Sequence, residues 1–187
     1  MKPIMFLSLA GALALAACNN NDSAATDATA DTAMASATPA AIPAAPDTAT
    51  PQGFVDMAAS SDMYEVEAGK LAQQQGKSEK VKTFAAMMVK DHTASTQKLK
   101  DAVGQAGEGV MIPTAMQAKH QQMLDGLKNA GDSFDKMYAE QQVAAHAEAL
   151  QLMQTQADSG TAASLKKFAA DVAPVIKRHG QEANQLP

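Results

Sequence analysis

Cysteine is nearly absent from this chain: Cys18 is the only one among 187 residues. The part beyond it therefore has no intramolecular disulfide and no thiolate metal cluster, and it must be held together by packing. Surplus positive charge is missing too. The formal net charge is −5, and no basic stripe is present to neutralise phosphates, which argues against a nucleic-acid partner. After the first segment there is no long apolar run. Alternating segments and β-branched runs are also lacking, so no strands are expected.

The chain begins with a secretory pattern. Lys2 supplies a short positive region, and Ile4 to Ala14 form an apolar stretch too short to span a membrane as a mature helix. Leu15-Ala16-Ala17-Cys18 follows. That string resembles a bacterial lipobox, in which the cysteine becomes the lipid-modified first residue of the mature protein. Residues 1–17 are therefore expected to be a lipoprotein signal peptide, with Cys18 carrying the lipid that anchors the chain to a membrane. Asn19 follows where Asp would mark inner-membrane retention. Its presence favours the outer membrane, with the chain facing the periplasm. From Asn19 to Thr50 the chain is rich in Ala, Thr, Asp and Pro and has no Lys or Arg. Such a segment cannot bury enough surface to offset its ordering entropy, so residues 18–50 read as a lipidated cysteine and a disordered tether.

Residues 51–187 read as a helical-bundle domain. Helix one is expected from about Gln52 to Gln75, stopped by Gly76. Ser78 caps helix two, which runs to about Gln105. Gly104, Gly107 and Gly109 break the pattern, but no strand precedes them, so they do not form a nucleotide-binding loop. A shorter helix is expected from Pro113 and Thr114 to about Asn129. A long helix to about Ala157 follows Gly131-Asp132, and a last helix follows Asp158-Ser159-Gly160. Pro174 lies inside that last helix, pointing outward, where a kink is expected.

Each main helix carries one ionisable residue on its apolar face, judged at about 100° per residue. Glu65 falls in the arc of Phe54, Ala58, Ala68 and Ala72, while Glu67 points away. His92 sits between Met88 and Leu99. His146 lies beside Tyr138, Ala145 and Ala149, with Glu148 facing out. His179 continues the stripe of Phe168, Val172 and Ile176. A lone histidine in such a place is usually a core residue bonded to a carbonyl or a water, and a lone glutamate often snorkels out. Four together suggest a site inside a four-helix bundle. Asp91, Tyr64 and Tyr138 either orient the imidazoles or are flank and core residues with a solvated tip. His120 faces the apolar side of the connecting helix and is left outside the site. Most methionines on helical faces, such as Met57, Met88 and Met153, read as core filler.

The four residues share a level only if the connection crosses back along the bundle. Glu65 lies about 15 Å from the first hairpin turn and His92 about 21 Å, at the helical rise. If the segment near Gly107 to Gly131 returns to that turn, His146 lies about 20 Å and His179 about 13 Å along. A weak internal repeat supports two similar hairpins: Val81 to Ala86 (VKTFAA) echoes Leu165 to Ala170 (LKKFAA), each copy preceding an inward histidine. Two hairpins joined by a long connection make a ferritin-like bundle with a shorter helix in the crossover.

The strings EVEAGKLA (Glu65 to Ala72), VKTFAAMMVKDHT (Val81 to Thr93), FDKMYAEQQVAAH (Phe134 to His146) and LKKFAADVAPVIKRH (Leu165 to His179) resemble the domain-of-unknown-function 4142 family. Its members are bacterial proteins often labelled predicted outer-membrane proteins. The resemblance covers about Gly53 to Ala183. It implies a ferritin-like helical bundle and no particular activity. The chain departs from the diiron pattern of paired Glu-x-x-His motifs, since Val143 stands three residues before His146 and no Glu stands three before His92 or His179. Three imidazoles and one carboxylate suit a single divalent ion such as zinc, copper, nickel or iron.

Two functions compete. One is a lipid-anchored envelope protein binding a divalent metal through Glu65, His92, His146 and His179, in a metal or envelope stress role. The other is a non-enzymatic structural or interaction module whose polar core is metal-free and fixes helix register. An enzyme ranks last: no nucleophile motif is present.

Overall fold

The computed structural model describes residues 47–107 and 109–187. The expected signal segment 1–17, Cys18 and the tether up to residue 46 lie outside them. Five α-helices follow in order: α1 (Pro51–Gln75), α2 (Glu79–Gly104), α3 (Ala118–Lys128), α4 (Phe134–Ser159) and α5 (Ala163–Ala183). The described residues contain no strand, as the sequence pattern requires. Among them, no helix is long and apolar enough to cross a membrane.

Local chemistry sets the ends. Pro51 occupies the first turn of α1, and the Thr50 side chain accepts the Gly53 N–H at 3.0 Å. Ser78 caps α2 by accepting the Lys80 N–H. A 3₁₀ turn, Gly131–Ser133, leads into α4, with Gly131 at φ 53°, where a side chain would be strained. The shorter connecting helix starts at Ala118, not at Pro113. Gln117 is extended, and its N–H is held by the Ser60 hydroxyl of α1 at 2.8 Å, so helix forms only after that tie. Pro174 is exposed and sits within α5, which remains a single helix.

The helices pair as two hairpins, α1 with α2 and α4 with α5. The hairpins meet through α1 against α4 and α2 against α5, and α3 lies on α1 and α4. The connection does cross back along the bundle. At the start of α4, Asp135 accepts the Lys77 and Ser78 N–H groups of the α1–α2 turn, at 2.9 and 2.8 Å. At the other end the Ser164 hydroxyl, entering α5, donates to the Ala102 carbonyl near the end of α2. This is the four-helix bundle with ferritin-like connection that the sequence suggested.

The core is split into two apolar clusters. One holds Phe54, Leu99, Met153 and Phe168. The other holds Tyr64, Phe84, Met88, Leu127 and Tyr138. The repeated Phe-Ala-Ala strings fall on opposite clusters, as expected of two hairpins packed head to tail. On α2, α4 and α5 the chain passes from one cluster to the other at His92, at His146 and at His179. On α1 the passage lies at Ser60 to Asp62, and Glu65 comes just after it.

Candidate metal centre

The break between the clusters brings three imidazoles together. One ring nitrogen from each of His92, His146 and His179 lies within 4.8 Å of the other two. The ring centroids are 5.5 to 5.7 Å apart, and all three side chains are buried. Gly180 lies at this contact. A Cβ there would stand 3.4 Å from the His146 Cβ, so α5 and α4 touch where their histidines meet.

Each imidazole is held by its other nitrogen. His92 Nδ1 donates to Asp62 Oδ1 at 2.8 Å, and the Thr96 hydroxyl donates to Asp62 Oδ2 at 3.3 Å. His146 Nδ1 donates to the Gln142 carbonyl, one turn back, at 2.9 Å. His179 Nε2 donates to Asp91 Oδ2 at 3.0 Å, and Arg178 reaches the same carboxylate at 3.5 Å. These acceptors fix the tautomers. With each ring neutral they leave lone pairs on His92 Nε2, His146 Nε2 and His179 Nδ1, and those three buried atoms have no hydrogen-bond partner among the described residues. An unpaired buried acceptor costs about 1–3 kcal/mol. Three of them on neighbouring rings fit a cation, which would satisfy all three at once. Imidazoles oriented from behind by carboxylates and carbonyls are the usual arrangement of histidine metal ligands.

The electrostatics favour neutral rings at two of the three positions. Burial pulls His179 down to about 4, helped by repulsion from His92. Burial also lowers His146. It acts in the same sense on His92, but there the Asp62 hydrogen bond and the charges of Glu65, Asp62 and Asp91 outweigh it, and the net shift is upward.

Of the four residues expected to bind, the three histidines converge, and Glu65 lies beside His146 without joining the group whose ligand atoms are all within 4.8 Å of one another. Glu65 is buried, but its Oε2 accepts the Gln142 side-chain N–H at 2.7 Å. Its Oε1 lies 3.9 Å from His146 Nδ1, the nitrogen engaged by the Gln142 carbonyl. Asp91 does orient an imidazole. Tyr64 instead donates to Gln141 Oε1 at 2.7 Å, and the Tyr138 hydroxyl is buried without a partner among the described residues. His120 is bonded to Ser60 at 2.6 Å and stacked on Tyr64, tying α3 to α1. Sequence reasoning missed Asp62. The signal was present: Asp62 follows Val55, Ala58 and Ala59 at helical spacings of seven, four and three, all on one buried face.

Comparison with known proteins agrees with the fold. A family model described as Domain of unknown function (DUF4142) matches residues 23–186. The chain belongs to that family. Among solved structures, CopM in the Cu(II)-bound form is similar, with a TM-score of 0.61 and 18% sequence identity. The match covers 73% of this chain and 94% of that one. At that identity the likeness is one of fold. None of the curated proteins compared matches.

Proposed function

We propose that this DUF4142 protein holds one divalent transition-metal ion inside its bundle, coordinated by His92, His146 and His179. The three orphaned, buried ring nitrogens carry this reading. Asp62, the Gln142 carbonyl and Asp91 orient the ligands from behind. Glu65 supplies a buried counter-charge beside His146 instead of a bond to the ion. A nitrogen-rich set of this kind suits zinc, copper, nickel or iron. Because the bundle neighbour is CopM in its Cu(II)-bound form, copper(II) is the first ion to test. The lipobox-like string ending at Cys18 supports a lipid-anchored position in the cell envelope, at the outer membrane and facing the periplasm, where such a protein would serve in a metal or envelope stress role.

The test is elemental analysis of the chain purified without chelator, beside a His92→Ala/His146→Ala double variant. The expected result is about one ion per wild-type chain, lost in the variant. A wild-type chain that holds no metal and takes up none on titration with zinc, copper, nickel and iron overturns the reading. In that case the second one stands: a metal-free polar core that fixes register. The hydrogen bonds joining α1 to α2 through Asp62–His92, and α2 to α5 through Asp91–His179, favour it. The anchor is tested separately. Cys18→Ser is expected to abolish lipid labelling and release the chain from the membrane fraction.

A further inference from the structure

We infer that an ion held by the three histidines keeps a coordination position open to the groove between α2 and α5, where it takes a small anion from solution. This rests on the metal reading above and goes beyond it, because a closed four-ligand site would be a storage or structural site whereas an open one can exchange ligands.

The carboxylates nearest the three rings are engaged with other partners. Asp62 and Asp91 are both spent on the outer nitrogens of His92 and His179. Glu65 is turned to the Gln142 amide and stands behind His146. Among the described His, Cys, Asp and Glu side chains, the three histidines are the group placed to share an ion.

The open direction is set by the groove. A cavity of about 230 Å³ between α2 and α5 reaches both His92 and His179, while neither His146 nor Glu65 lines it. It could hold several waters at about 30 Å³ each, and so has room for a few-atom ligand. The neighbouring depression between α1 and α2 reaches Asp62 and Thr96 but no histidine. The α2–α5 groove thus touches two of the three rings, while their free nitrogens lie buried beneath it, and it is the side from which a ligand would approach. Ala94, Val172 and Val175 make the walls apolar, and Lys98 and Arg178 line the same groove with positive charge. Arg178 is about half exposed beside Asp91. Asp91 lines the groove too and pairs with Arg178, so the net positive charge there is that of Lys98 and the divalent ion, which together favour a small anion over a second cation.

The probe is azide, added to the full chain loaded with copper(II), with absorption and electron paramagnetic resonance as readouts. Copper content is measured first. The expected result is a saturable azide-to-copper absorption band and an altered resonance, with copper still bound after gel filtration. Two variants narrow the groove, Ala94→Phe and Val175→Trp. Each is expected to weaken azide about tenfold or more while copper content stays at the wild-type level. Spectra indifferent to azide in copper-loaded wild-type protein overturn the open position and leave the metal reading standing. So does azide that merely strips the copper. An azide response unchanged in both groove variants overturns the route. A wild-type chain that takes up no copper or other ion removes both readings, and the copper measurement shows this before any azide is added.

Discussion

The Asp91 carboxylate on α2 accepts the Nε2–H of His179 on α5 at 3.0 Å. That bond turns His179 so that Nδ1 is its free nitrogen, whereas His92 and His146 each leave Nε2 free. A helix pair is thus locked and a ligand tautomer chosen by the same contact. Asp62 does the equivalent for His92 across α1 and α2.

Removing either orienting charge should weaken metal binding without removing the site. Asp62→Asn and Asp91→Asn each keep the size and an acceptor oxygen, but lose the charge that raises ligand basicity. Loss of such partners costs about 10–100-fold in metal affinity. Competition against a chelating dye reads this directly. Wild-type affinity in both variants would mean that the carboxylates serve only to pack the helices.

Glu65 separates a counter-charge from a ligand. In Glu65→Gln the contact with Gln142 can be kept, while the negative charge beside His146 is lost. The expected outcome is one ion per chain with affinity lowered about tenfold, and copper(II) spectra unchanged in their nitrogen coordination. Loss of the ion, or a spectrum that shifts to a different ligand set, would put Glu65 in the coordination shell after all.

Acid should destabilise the metal-free bundle. His179 folds with its pKa at about 4, below the ordinary 6.5, and His146 is lowered as well. Between those values the unfolded chain binds protons that the native one refuses, so stability falls as pH drops from about 6.5 towards 4. His92, raised in the fold, works in the opposite sense. Its contribution is complete below 6.5 and is lost as pH rises through its folded value. A net loss on acidification follows where the His179 and His146 shifts together exceed the opposing shift of His92. Urea midpoints of chelator-treated protein at pH 7 and pH 5 test this, with the lower midpoint expected at pH 5. A higher midpoint at pH 5 would mean that the Asp62–His92 pair dominates.

Much of this arrangement was legible in the sequence because helical periodicity is strong over long segments. His92, His146 and His179 each interrupt an apolar stripe, and three interruptions on three helices are hard to explain singly. Glu65 interrupts one too, and periodicity could not separate it from the histidines, since a residue's face does not reveal what its side-chain oxygens bind. Gln142 decides that, through a contact between helices. Asp62 was missed because α1 is buried over a wider arc than its aromatic residues mark, with Val55, Ala59 and Gly69 covered as well. The late start of α3 depends on a long-range bond from Gln117 to Ser60, which no local propensity encodes.

The common level of the three histidines depends on the crossover, and Asp135 fastens its far end. Its carboxylate accepts the Lys77 and Ser78 N–H groups, which open α2 and have no partner within that helix. It also places negative charge at the start of α2, where the helix dipole favours it. Nearby, Lys77 pairs with Asp132 at 2.7 Å, but both side chains are well exposed, so that pair adds little. Asp135→Ala should therefore cost about 1–2 kcal/mol of stability, and Asp132→Ala much less. Because α4 carries His146, the Asp135→Ala variant should also bind metal more weakly, although it touches no ligand. Urea unfolding and metal titration of the two variants test the pair of effects together. Asp135→Ala with unchanged stability would show that packing alone holds α4 in register with the α1–α2 turn.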